Sequence, residues 1–215
     1  MLITSLNSVS FKNVLIAILH ADTEHQDSQK KGNIVRIKDR TSDVTLGYNF
    51  LKIDQILPEL KANGQVLLSA DQVARLNDAL QATGFEPELI SDLTPKFVIG
   101  YIRTLVEHPD SDHLHIATVE VDSGTTLQIV CGAPNVAQDQ KVVVAKVGAM
   151  MPNGQIIWPG ELRGVKSDGM ISAARELNLP NAPKKRGILV LPANAPTGAA
   201  FDFNKGATIV AEQNN

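Results

Sequence analysis

One cysteine in 215 residues leaves this chain without an intrachain disulfide framework and fits a reducing compartment. Long apolar runs are missing too. Val14–Leu19 is six residues long, whereas a membrane span needs about 20. No small-residue cleavage pattern follows it as in a secretory signal, so the expectation is a soluble, cytoplasmic protein. The chain contains no G-x-G-x-x-G, no G-x-x-x-x-G-K-[ST] and no G-x-S-x-G. Dinucleotide, P-loop and hydrolase-elbow chemistries therefore lose their usual signatures. Aromatics are scarce: between residues 97 and 190 there are only Phe97, Tyr101 and Trp158. Sequence-tolerant single-strand binding usually leans on several stacked rings, so any nucleic acid here would be read by shape and backbone.

Charge of one sign is missing locally. Residues 107–139 carry no Lys or Arg against six acids, and residues 141–186 carry eight Lys and Arg against three acids. The net charge is −3, which argues weakly against a nucleic-acid partner. Such asymmetry can still focus a positive field on one face; it is equally what scattered solvated charges would give.

What is present divides the chain in two. Residues 14–19, 33–39 and 43–51 are rich in β-branched and aromatic side chains, with a short hairpin connection at 39–43. The period then changes over SADQVARLNDALQATG. Ser69 and Gln72 form a capping-box pair, Val73, Leu76 and Leu80 share a face, and Gly84 stops the helix. Residues 87–96, with two prolines and no period, read as a linker. From Phe97 onward, short strands alternate with Gly and Pro turns, the pattern of a small barrel or sandwich. Ala211–Asn215 reads as a frayed end.

Three local clusters could carry chemistry. His113 and His115 share a strand face near Asp110 and Asp112, which would suit zinc. No second ligand pair completes a closed site, and an Asp-Ser-Asp turn bonding backbone amides explains the stretch better. Cys131 in IVCGAPNV follows an apolar run and lies near an acidic stretch that opposes a thiolate. A buried small side chain at a strand end is the better reading. His20, Asp22, Glu24 and His25 lie together on a polar loop, a weak case for an enzyme in the first half.

Four pieces taken in order carry a stronger signal: FVIGYIRTLVEHPDSDHLHIATVEV, IVCGAPNV, VVVAKVGAMMPNG and ELRGVKSDGMISAARELNLP. They resemble the tRNA-binding domain shared by the phenylalanyl-tRNA synthetase β subunit, the methionyl-tRNA synthetase C-terminal extension and small stand-alone tRNA-binding proteins. With its extra N-terminal domain, the whole chain resembles the bacterial YtpR family. The strand-and-helix pattern of residues 1–92 reads as an α+β domain of unknown function, and residues 205–215 read as a C-terminal tail. The resemblance implies an all-β OB-fold, a five-stranded Greek-key barrel with an insertion, over 93–204. It implies tRNA or other structured RNA as ligand, no reaction and no cofactor. It leaves room for an aminoacyl-tRNA synthetase as partner and for a homodimer. The chain departs from the family at His113, where Lys is usual, at Leu162, and at Ile171-Ser172-Ala173.

Phosphates want cations and turn amides. The expected tRNA contacts are Lys141, Lys146, Arg163, Lys166, Ser167, Met170, Ser172 and Arg175. The cations would hold phosphates and the hydroxyls phosphate or 2′-OH. Met170 would offer a soft surface to a base or fill the barrel core. Asn135 would bond a backbone group or a ligand, and Lys184–Arg186 would be a phosphate arm or a solvated loop. The competing class is a chaperone or protein-interaction module using the same fold, because OB domains of this family also occur in a secretion chaperone.

Overall fold

The computed structural model describes residues 1–122 and 124–213. Two compact units meet in sequence at Thr94 and Pro95. The first holds β1 (Ile3–Asn7), β2 (Phe11–Ile18), β3 (Gln26–Lys31), β4 (Ile34–Asp39), β5 (Thr45–Leu51), β6 (Gly64–Val66) and α1 (Ala70–Ala82). The strands form one antiparallel sheet in the order β3-β4-β5-β2-β1-β6. Leu15, Ala17, Tyr48 and Phe50 bury against Val73, Leu76 and Leu80 of α1 in one core. The alternation along β2 and the helical spacing along α1 are what make those two faces meet. Ser69 caps α1 as its sequence predicts, with Gln72 N–H donating to Ser69 Oγ at 3.3 Å and Ser69 N–H to Gln72 Oε1 at 3.0 Å.

The β4–β5 turn is built on Asp39. Its carboxylate accepts from the Ser42 amide at 2.7 Å and the Thr41 amide at 2.9 Å. The Ser42 amide foremost, then the Thr23 and Ser42 side chains, hold its pKa down to about 2, with a smaller share from the Thr41 amide. A folded-state pKa below the unfolded one stabilises above the ordinary carboxylate range, and the contribution is lost as pH falls toward about 2. The Ser42 amide resonance is accordingly expected to titrate with a midpoint near 2; a midpoint close to 3.8 would show the turn bonds do not hold the carboxylate.

The 87–96 stretch is not a free linker. Leu89 is buried, and the Asn77 side chain brackets it, donating to Leu89 O at 2.9 Å and accepting from Leu89 N–H at 3.0 Å. Ser91 Oγ donates to Leu68 O. The segment straps onto the first unit because a helical Asn supplies the backbone pairing that a strand would have supplied.

The second unit holds β7 (Phe97–His108), β8 (Ser111–Asp122), β9 (Thr125–Cys131), β10 (Lys141–Lys146), β11 (Gly160–Leu162), β12 (Val165–Ser167), β13 (Gly169–Ile171), β14 (Val190–Leu191) and α2 (Phe203–Gln213). Five strands run in the order β13-β10-β7-β8-β9, with β14 added to β10. Register shifts in β7 and β8 bend the long pair. The ends then approach: Asp168 N–H donates to Gln128 O at 2.8 Å, and Val130 N–H to Ser167 Oγ at 3.1 Å. The result is a nearly closed antiparallel barrel of OB-like form following an α+β region.

β10 is buried on both faces. Val142 and Val144 point into the barrel with Ile102, Val119 and Ile129. Val143 and Ala145 point outward into a second core with Leu177, Leu189, Phe201 and Val210. Residues 205–213, expected from the sequence to be tail, lie instead in α2, and Ala211–Gln213 are its last turn. Val210 buries on the outer barrel core, and that burial gives the helix its reason to form. Asn214 and Asn215 lie outside the described residues.

Candidate nucleic-acid interface

The eight expected contact residues fall in several places. Lys141 opens β10 and packs its Nζ 4.6 Å from the centre of the Tyr101 ring, bonded to Thr197 Oγ1. Arg103 sits 4.7 Å from the same ring and pairs with Glu120. Tyr101 donates its hydroxyl to Asp139 at 2.6 Å, so this cation stands among carboxylates. Lys146 closes β10. Five residues along a strand is roughly 16 Å, and an odd separation turns the two lysines to opposite faces. The single cationic wall expected from the sequence therefore does not include both.

Arg163 and Lys166 ride on the β11–β12 hairpin. Arg163 takes a left-handed φ of 47° at the tip, and its guanidinium donates to Asp110 O at 2.6 Å. His108 is buried beneath; its Nε2 lies 3.1 Å from Leu162 O, and its Nδ1 accepts from Asp110 N–H. The Leu162 bond, with that of Arg163 to Asp110 O, anchors the hairpin on the β7–β8 turn, and the Asp110 amide bond assigns the Nε2–H tautomer. Lys166 is exposed beside it.

The two serines are corrected. Ser167 is 5% exposed, and its Oγ joins β9 to β13, accepting from Val130 N–H and donating to Gly169 O. Ser172 is fully buried and has no partner for its Oγ. Barrel closure consumes the first, and the double-sided core encloses the second, so neither offers a hydroxyl to a ligand.

Met170 and Arg175 do come together. They line a hollow of about 230 Å³ with the end of β9 and the turn after it (130–134), Glu176 and residues 186–188. The hollow exists because Asn135 draws a distant segment in: its Nδ2 donates to Ile188 O at 3.0 Å, and its Oδ1 accepts from Ile188 N–H at 2.8 Å. This side chain thus acts as one rung of a β-ladder. Gly187, with φ 155°, permits it; a Cβ there would lie 2.8 Å from Asn135 Oδ1. Arg186 lines the hollow, Lys185 lines a smaller one sharing Arg175 and Gly187, and Arg175 donates to Lys184 O. Among the described residues, Arg175, Lys184, Lys185 and Arg186 form no ion pair. The one acid on the rim, Glu176, spends Oε2 on Ala173 N–H at 2.7 Å. Arg175, Lys185 and Arg186 thus line two adjoining hollows and leave their rims rich in positive charge.

The sequence alone leaves Lys185 and Arg186 undecided, since a run of cations after prolines reads equally as a solvated loop. Cys131 is 6% exposed at the end of β9, and burial pushes its thiol pKa up. That is the state of a packed thiol, opposite to an activated nucleophile.

Comparison with known proteins places these units. A family model described as "Domain of unknown function (DUF4479)" matches residues 21–92, and one described as "Putative tRNA binding domain" matches residues 97–200. The "Phenylalanine--tRNA ligase beta subunit" of Burkholderia lata is 44% identical over 132 residues, covering 57% of this chain and 16% of that protein. The same subunit of Moorella thermoacetica is 44% identical over 133 residues, covering 59% and 16%. Both similarities are thus confined to a small part of the ligase subunit. The "Putative tRNA-binding protein YtpR" of Bacillus subtilis is 46% identical over 190 residues, 88% of this chain and 94% of that protein. A match of that extent takes in both units at once, and the chain belongs to the YtpR family.

Proposed function

We propose that the protein is a non-catalytic binder of tRNA or other structured RNA, acting in trans in the cytoplasm through the OB-like barrel. Arg175, Lys185 and Arg186, without carboxylate partners among the described residues and lining two adjoining hollows, carry this reading. The names of its relatives support it. The cations hold phosphates, and the scarcity of exposed rings leaves recognition to shape. In this role the protein is an accessory factor of translation, alone or as a homodimer, that brings RNA to a protein such as an aminoacyl-tRNA synthetase.

The test is tRNA binding across salt. Three phosphate contacts imply an affinity loss of roughly twentyfold to fortyfold between about 50 and 200 mM salt. Insensitivity to salt would favour a peptide-binding, chaperone-like use of the barrel. Arg163→Ala combined with Lys166→Ala probes the hairpin. Arg163 donates to Asp110 O at 2.6 Å, a tighter tie than the 3.4 Å bond of Arg175 to Lys184 O, and Lys166 forms no ion pair among the described residues, so the slope is expected to flatten by about one unit, not two. An unchanged affinity and slope would remove the hairpin from the interface.

A further inference from the structure

The hollow beside the Asn135 clamp has a floor and a rim of different chemistry. Val130, Cys131, Pro134, Met170 and Ile188 supply apolar surface, whereas Arg175, Arg186 and Glu176 supply the charge. A phosphate group would gain from the rim and lose hydration against the floor without compensation. A flat heterocycle suits the floor, and its attached phosphate suits the rim. Resting on the RNA-binding reading above, we propose that this hollow is a subsite for one unpaired nucleotide, its base inserted and its phosphate held by Arg175 and Arg186.

The base edge is selected by Glu176. Its Oε2 is occupied by the Ala173 amide, and Oε1 remains as a charged acceptor with nothing to donate. Such a group favours a base presenting adjacent N–H donors and opposes one presenting acceptors. Guanine, with N1–H and N2–H₂ side by side, is the best match, and uracil, with its two carbonyls, is a poor one. Guanidinium planes at the rim add stacking surface. The rest of the interface reads shape, and this one place reads a nucleotide that the RNA fold leaves unpaired.

The subsite is preformed. Asn135 fixes residue 188 through two hydrogen bonds, and Gly132 closes the other side, where a Cβ would already touch Leu114 at 3.0 Å. Little ordering is left for the ligand to drive, which is the condition for a small group to bind measurably.

Nucleoside 5′-monophosphates titrated into the full chain at low salt, followed by amide and methyl NMR, test this directly. The expected result is shifts at Gly132, Ala133, Met170 and Gly187, with GMP binding at least fivefold tighter than UMP. Glu176→Gln keeps an acceptor for Ala173 but removes the charge, and should reduce that preference to about twofold or less. Ala133→Phe should fill the hollow and abolish the shifts. In parallel, a blunt RNA duplex and the same duplex with an unpaired 3′ guanosine are compared. Wild type should favour the overhang about tenfold, and A133F should lose that advantage while still binding the duplex. Absence of shifts at the hollow, or equal binding of GMP and UMP, overturns the subsite. If duplex binding persists in that case, the RNA-binding reading stands alone. If neither RNA binds, both fail.

Discussion

Reversing Arg175 and Arg186 together, R175E with R186E, is expected to weaken tRNA binding at least a hundredfold at about 100 mM salt. Both side chains are exposed and in no ion pair among the described residues, so their field is available to a ligand. The change removes two phosphate contacts, each worth about one unit of salt slope, and sets two carboxylates against the same phosphates, a juxtaposition that costs several kcal/mol. Stability should hardly move, because Arg175 loses only its bond to Lys184 O and exposed substitutions usually fall within about 0.5 kcal/mol. The measurement is a binding isotherm beside a urea melt of the same sample. An affinity within threefold of wild type, with the melt unchanged, would move the interface away from the hollow and toward the Lys141–Tyr101–Arg103 cluster.

Gly47→Val is expected to be the most damaging single change in the first unit. A Cβ at this position lies 2.3 Å from Ala17 O, at the last registered pair of β2 and β5, where Gly47 faces Ile18 and Tyr48 faces Ala17. The collision is with backbone, so no rotamer relieves it. The strands must part there, disturbing the adjacent buried pair of Ala17 and Tyr48. A cost of about 3 kcal/mol or more follows from overpacking and lost pairing together. Gly64→Ala is the control: Gly64 has φ 93° but nothing within 4 Å of an added methyl, so only conformational strain of about 1 kcal/mol is expected. Hydrogen exchange at the β2 and β5 amides reads the difference. Comparable protection in the two variants would mean the sheet accommodates the side chain.

Elements whose pattern is local are legible in the sequence. α1 carries its own cap, stripe and stop, and β2, β4 and β5 carry enough apolar residues to be recognised. β3, QDSQKK, has no fully buried residue and so no alternation to read; it is a strand because β4 is there to pair with it. α2 escapes a local reading for a related reason. Its first turn begins at Phe203, which meets Phe97 and Phe201 edge-on at 5.3 and 5.2 Å, and the Phe97 half of that support comes from far away in sequence.

The site shows the same division. Motif resemblance locates Met170 and Arg175, but the serines between and beside them look exposed because a Ser in a Gly-rich turn usually is. Burial of Ser167 follows from barrel closure, and burial of Ser172 from a strand covered on both sides. Neither condition is visible in a local window. Likewise, no spacing rule connects Arg186 to Cys131. The connection is made through Asn135.

That amide has an evolutionary consequence. Because Asn135 Oδ1 stands where a side chain on residue 187 would have to go, the two positions can drift only in concert. Grafting the basic segment onto another member of the family without its matching asparagine would transplant the charges but not their address.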